Sequence, residues 1–359
     1  MRLTAQKLEH ASRIGEETLR ARDIVLRHGR NAASYQIVNP VIEKWFSKEE
    51  DAVIGFVDRL GVRVVAGAPV CSSNVRRKVV DEFELEADRM GKSVCYFGVE
   101  GHFGEEWAPR TAQTWVCLGG QPCWRPREWY ETVMSHATLR FQFNRARNKG
   151  VVVEEWPTQK AEGNAQLQYV LEQWLATRGL PPLHFLVEPE TLGFLGDRRT
   201  FVAVRENKPV AFLNLCPIPE RQGWLTEQFP RLKTAPNGTV ELLMHEAVQK
   251  LAAEGSEYVT MGMVPLSKKV TAGPQPTWFR ALSWWARAHG RRFYNFEGLE
   301  SFKSKFEPQW WEPLYVIVDG EAFRPHHLRA VCAAFVEGSV WAAAAKGLGR
   351  AVVRTINRT

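Results

Sequence analysis

The chain has 359 residues, of which 45% are hydrophobic and 24% charged, with a net charge of +7 and an isoelectric point near 9.1. This composition excludes a disordered or fibrous protein, and the length allows two domains that each bury a core. No window reaches the roughly 18 uncharged apolar residues that span a bilayer, so membrane contact is expected to be peripheral, and the positive balance suits polyanions such as RNA or anionic lipid headgroups.

Residues 1–31 read as an amphipathic N-terminal helix without the apolar core of a signal peptide, so export is not expected. Ala52 to Val70 is a pair of apolar, β-rich segments around an Asp58–Gly61 turn, a predicted hairpin. Ser72, Ser73 and Asn74 offer N-cap oxygens to a following helix that closes near Gly91, and SVCYFGVE is a strand. Asn164 to Arg178 has Leu167, Val170, Leu171, Trp174 and Leu175 at helical spacing, with Gly179 as a stop. The order hairpin, helix, strand then recurs: TFVAVRENKPVAFLNLCPI turns at Glu206–Pro209, NGTVELLMHEAVQKLAAEG is a helix ending at Gly255, and SEYVTMGMVPL is a strand. Such a duplication predicts an α/β fold of mixed sheets rather than a doubly wound parallel sheet. The expected units are residues 32–155 and 156–320, followed by a tail at 321–359.

In that tail Lys346, Arg350, Arg354 and Arg358 recur every four residues, which sets four cations on one helix face opposite Val340, Trp341, Leu348 and Val352. The helix either lies on an anionic membrane or docks on the body with a solvated basic side. Cys71, Cys95, Cys117, Cys123, Cys216 and Cys332 include no CxxC pair and sit mostly in apolar runs. They are read as packed, reduced thiols of a cytosolic protein, with no metal site.

The stretch YNFEGLESFKSKFEPQWWEPLY, from Tyr294 to Tyr315, gathers aromatic residues around Lys303, Lys305 and Glu297. Together with NGTVELL and with LRFQFNRARNKGVVVEEW, it resembles the C-terminal catalytic region of the phosphatidylglycerol lysyltransferases, the multiple peptide resistance factor family. The resemblance runs from about Arg20 to Val318. It implies two tandem GNAT-like acyltransferase domains and transfer of an amino acid from aminoacyl-tRNA, the donor substrate, to the hydroxyl of an anionic phospholipid such as phosphatidylglycerol. No cofactor is implied. The flippase domain that commonly precedes this region is not in the sequence, so a lipid product is expected either to be translocated by another protein or to stay in the inner leaflet.

Transfer from an activated ester requires positioning, a base and stabilisation of an oxyanion. The resemblance implies Glu241, in the first turn of its helix, as the base; its other reading is an acid complementing the helix N-terminus. Lys303 and Lys305 match a Phe-x-x-Lys-x-Lys-Phe pattern, and two residues apart on a helix they point in different directions. Lys303 is expected to reach the substrate phosphate, with Lys305, Tyr294, Glu297 and Tyr315 lining the site. Glu227 and Arg231 would hold the transferred amino acid and a phosphate or the tRNA end, unless they are solvated loop charges. Arg140, Arg145, Arg147 and Lys149 form a basic helix that either meets the tRNA backbone or is simply solvated. Leu314 stands where the family usually has arginine, which leaves open another lipid or amino acid, or a lost activity.

The rival reading as a coenzyme A enzyme needs a glycine-rich phosphate loop opening a helix. Neither SKKVTAGP nor CSSNVRR supplies one, and KGLGRA follows no strand. A tRNA-dependent peptidyltransferase and a non-catalytic lipid or RNA-binding protein stay open as alternatives.

Overall fold

The computed structural model of the protein describes residues 2–103, 113–178, 183–271, 273–289, 295–319 and 322–336, with side chains from residue 15 onward. Helix α1 (Arg2–His28) precedes strands β1 (Glu43–Phe46), β2 (Val53–Arg59) and β3 (Val62–Ala66), helix α2 (Arg76–Arg89) and strands β4 (Ser93–Glu100) and β5 (Gln113–Trp124). Helices α3 (Trp129–Ser135) and α4 (Ala137–Arg147) lead to β6 (Val152–Trp156), α5 (Ala165–Ala176), β7 (Arg199–Arg205), β8 (Lys208–Ile218) and β9 (Gly223–Gln228). Then come α6 (Thr239–Ala253), β10 (Tyr258–Thr260), β11 (Val264–Pro265), α7 (Thr277–His289), α8 (Phe296–Ser304), β12 (Trp310–Asp319) and α9 (Pro325–Ala334).

Local chemistry accounts for most of these boundaries. The β2–β3 turn has both central residues, Leu60 and Gly61, at positive φ (54° and 78°), and the β7–β8 turn does the same at Glu206 and Asn207 (52° and 60°). Two central residues of this kind match the right-handed strand twist of a tight hairpin. Asn164 caps α5 by accepting from the amides of Gln166 and Leu167. Helix α6 ends in a Schellman motif, in which the amides of Gly255 and Ser256 bond the carbonyls of Ala252 and Leu251.

Three local expectations are corrected. Ser72 makes no capping bond to α2, because its hydroxyl turns to the Asn74 side chain at 2.5 Å. The segment SEYVTMGMVPL forms two short strands broken at residues 261–263, where Gly262 adopts φ +69°. Glu227 lies on β9 rather than in a loop, since Gly223 to Gln228 pairs with both β8 and β10.

The strands form one 12-stranded sheet in the order β1-β2-β3-β4-β12-β5-β10-β9-β8-β7-β6, with β11 paired to β5. Its two parallel pairs are β3 with β4 and β9 with β10, bridged by α2 and α6. The hairpin-helix-strand order is therefore present twice in a mixed α/β sheet, as the sequence predicts. The halves also exchange strands. Strand β12, late in the sequence, inserts between β4 and β5, while β5, from the first half, pairs with β10 of the second.

Helices cover both faces. Ala21, Ile24 and Val25 of α1 and Ala330, Val331 and Ala334 of α9 pack with Val62, Val64 and Val316 on one side of the first half, and Val79 and Phe83 of α2 pack with Ile54 and Tyr96 on the other. In the second half α4 and α6 cover Phe201 and Leu213, and α5 covers Val202 and Phe212. The start of the predicted tail is thus docked on the body, and Lys346, Arg350, Arg354 and Arg358 lie outside the described residues. Five cysteines are buried and Cys332 is exposed, all six as free thiols. Among the described residues no helix is long and apolar enough to cross a membrane.

Candidate functional site

The best-defined constellation lies where α6, α8 and the β10–β11 break meet. Gly238, just before α6, has φ +94°, and a Cβ there would sit 1.8 Å from the carbonyl oxygen of Gln142 on α4. Only glycine allows this approach, which buries the first turn of α6 and with it Glu241. The Glu241 carboxylate turns away from the helix amides and accepts a hydrogen bond from Lys305 Nζ at Oε1, 2.6 Å away. Among the described residues its Oε2 has no hydrogen-bond donor. Lys305 in turn lies over the rings of Phe302 and Phe306, 4.3 and 5.2 Å from their centroids. The aromatic faces and the carboxylate together fix an ammonium that is still partly open to solvent.

Lys303, expected to reach a substrate phosphate, is instead turned into the interior. It is 8% exposed, and its Nζ donates to the carbonyls of Met261, Gly262 and Met263 at 2.5, 3.0 and 3.1 Å. The reason is geometric: the break between β10 and β11 frees three carbonyls from the ladder, and an ammonium supplies the three hydrogens they need. Burial lowers the pKa of Lys303 to about 7. Lys305, two residues on and on a different side of the helix turn, is the lysine that stays partly open to solvent.

Other predicted residues lie elsewhere. Glu227 lies on β9 with its side chain 8% exposed and accepts from Arg198 Nε at 2.9 Å, Arg198 Nη2 at 3.1 Å and Gln36 Nε2 at 2.8 Å. It is neither a solvated loop charge nor an open ligand for an ammonium. Arg231 is exposed and bridges to Ala211 of β8. Glu297 is exposed on α8, 3.9 Å from Arg287. Tyr315 belongs to the exchanged strand β12 and meets Trp115 edge-on at 5.5 Å, in the first half of the sheet, while Tyr294 lies outside the described residues. Leu314 is buried between Glu100 and Gly119, so its side chain fills a packing position.

The basic residues on and just after α4 divide. Arg140 donates to the Val133 and Met134 carbonyls at the end of α3, and Arg147 pairs with Glu246 at 2.5 Å. Among the described residues Arg145 and Lys149 have no ion-pair partner.

A second constellation, which the sequence reading missed, lies on the seam where the exchanged strands meet. Arg221 donates to both oxygens of Glu312, at 2.9 and 2.6 Å, and sits 3.4 Å from Glu100 Oε2. Gln121 bridges Glu100 (2.9 Å), Glu312 (3.0 Å) and the Tyr258 hydroxyl (3.1 Å), and that hydroxyl donates to Glu312 at 2.9 Å. Trp310 Nε1 and the Ala32 amide complete the acceptor shells. Burial pushes the Glu100 carboxyl up, against Arg221 and with the help of Glu312, to about 7. Burial acts on Glu312 too, but is outweighed by Arg221, which holds it down at about 2. The signal available in the sequence was an acid within each of two apolar strand segments, SVCYFGVE and WWEPLY. Each of β4, β5, β10 and β12 contributes a member, so the network locks the two halves together.

With this geometry established, comparison with known proteins is informative. The model of the family described as phosphatidylglycerol lysyltransferase, C-terminal, matches residues 22–318. The phosphatidylglycerol lysyltransferase of Bacillus subtilis (strain 168) is 24% identical over 281 residues, covering 74% of this chain and 31% of that protein. The chain thus spans about a third of the length of this relative. The C-terminal domain (DUF2156) of a putative lysylphosphatidylglycerol synthetase from Agrobacterium fabrum has a TM-score of 0.76 at 24% identity, covering 91% of this chain and 99% of that one. L-PGS from Bacillus licheniformis has a TM-score of 0.73 at 21% identity, covering 88% and 94%. At these identities the two structures show a shared fold.

Proposed function

The chain belongs to the phosphatidylglycerol lysyltransferase C-terminal family of transferases, and on that premise we propose that it moves an aminoacyl group from aminoacyl-tRNA to the hydroxyl of a membrane phospholipid such as phosphatidylglycerol. The observation that carries this reading is the Glu241–Lys305 pair, an acid whose second oxygen has no donor among the described residues, beside a partly exposed ammonium. The lipid hydroxyl attacks the ester carbonyl and gives its proton to Glu241 Oε2. As the tetrahedral intermediate collapses, the bond to the tRNA ribose oxygen breaks and that oxygen takes the proton back. Lys305 supplies the positive charge for the lipid phosphate or the developing oxyanion. Arg145 on α4 and Lys149 in the turn that follows it are cations that could meet tRNA phosphates. The ester is already activated, so the reaction consumes no nucleotide, and it takes place at the cytoplasmic face, where charged tRNA is found.

The test combines purified protein, charged tRNA and phosphatidylglycerol vesicles, with lipid mass spectrometry as readout. An aminoacylated lipid that disappears after ribonuclease treatment is the expected product. Replacing Glu241 by Gln should lower turnover by about a hundredfold or more. Near-normal turnover of that variant would remove Glu241 from the chemistry. Acyl transfer from acetyl-CoA without tRNA would replace the reading altogether.

A further inference from the structure

Helix α7, TWFRALSWWARAH, divides its aromatic residues between two faces. Phe279 is buried, and Trp278 stacks on Phe323 with centroids 5.5 Å apart and donates its indole N–H to the Phe323 carbonyl at 3.3 Å. Arg287 donates to the Leu266 carbonyl. These contacts hold the helix on the body. Trp284 and Trp285 point the other way, 70% and 51% exposed, beside Leu282 at 39%. Arg280, Ala281, Ala288 and His289 share their exposed stripe, and the His289 ring stacks on Trp285 at 5.9 Å. Among the described residues the two outward indoles have no hydrogen-bond partner and no ring contact other than His289.

Charge adds an independent observation. From Leu266 to Asn295 the sequence contains Lys268, Lys269, Arg280, Arg287, Arg291 and Arg292 and no aspartate or glutamate, so much of the chain's net +7 resides here. We infer that the outer face of α7 is a docking surface for an anionic phospholipid bilayer, with Trp284 and Trp285 seated at the headgroup boundary and the exposed cations Lys268, Lys269 and Arg280 among the phosphates. Indole suits that boundary because it joins a large apolar ring to one N–H donor. A helix with apolar residues on one side and cations around it binds in the interface plane, and each cation adds attraction. An RNA backbone would leave Leu282 and the alanines of this stripe wet, so the face fits lipid better. The inference rests on the lipid-acceptor reading, since such a surface would carry the enzyme to its acceptor.

The experiment is co-sedimentation of the full chain with phosphatidylcholine vesicles, with and without phosphatidylglycerol. The W284A/W285A double variant should lose at least about tenfold in partition to anionic vesicles, and Arg280→Glu about fivefold. Melting temperature should not change, nor should transfer to a monomeric, short-chain phosphatidylglycerol. Unchanged partition of the double variant would overturn the inference. So would a loss of tRNA affinity with vesicle binding intact, or binding that vanishes only when the residues after Val336 are removed. Wild-type protein that binds vesicles through these residues yet transfers nothing to any lipid would refute the proposed function and leave the docking surface standing.

Discussion

At the scale of single residues, two lysines two positions apart have opposite tasks. Lys303 neutralises three carbonyls in the interior, whereas Lys305 pairs with Glu241 at a partly open position. Lys303→Met should destabilise the protein by about 2–4 kcal/mol, because it leaves buried carbonyls without donors. Lys305→Met should leave the melting temperature nearly unchanged and lower transfer activity. Denaturant titration and turnover measured on both variants check this, and equal stability losses would merge the two roles. Glu100 gives a pH test. Its native carboxyl keeps a proton to about pH 7 that an ordinary carboxyl loses near 4.5, so rising pH removes its stability across that window. His102, His245 and His327, each lowered to about 4 by burial, act in the opposite direction between about 4 and 6.5. The difference between wild type and Glu100→Gln isolates the carboxyl. The substitution should cost more at pH 5 than at pH 7, by at most about 1.4 kcal/mol per pH unit. An equal or larger cost at pH 7 would mean that Glu100 is ionised beside Arg221.

At the scale of elements, α6 has a glycine at each end for different reasons. Gly255 needs only the left-handed conformation, φ +81°, and nothing lies within 4 Å of a Cβ built there. Gly238 needs that conformation and also the space that Gln142 would deny to any side chain. Gly255→Ala should therefore cost about 1 kcal/mol. Gly238→Ala should cost about 3 kcal/mol or more and reduce transfer as well, because α4 and α6 must separate and Glu241 shifts with them. Thermal melting of both variants compares these effects, and similar losses at the two ends would remove the close approach as a cause. The outer face of α7 belongs to the same scale, since its exposed indoles are defined by what the inner face has already satisfied.

At the scale of the whole molecule, strand exchange makes the halves interdependent. Strand β12 has a ladder to β4 on one side and β5 on the other, while β5 also pairs with β10. The Arg221–Glu312–Gln121–Tyr258 network crosses the same seam, with Arg221 and Glu312 half-buried and Gln121 and Tyr258 buried. Unfolding should accordingly be a single cooperative transition despite the duplicated order of elements. Calorimetry on the intact chain tests this, and two well-separated transitions would show that each half is stable alone.

Hairpin turns, the helix that starts near Asn164, the glycine stop of α6 and the repeated hairpin-helix-strand order were legible in the sequence because neighbouring residues decide them: φ preferences and apolar period act within a few positions. Glu241 and the FKSKF segment, which the structure brings together, were legible in the sequence as candidates too. Which lysine meets the acid was not, because the answer depends on three carbonyls freed by a strand break some forty residues earlier. Nor were the burial of Glu227, the polar seam around Glu100 and Glu312, or the place of β12 between β4 and β5. Each of these depends on which distant segments become neighbours in one sheet, and side-chain desolvation and hydrogen bonding are set only once they do.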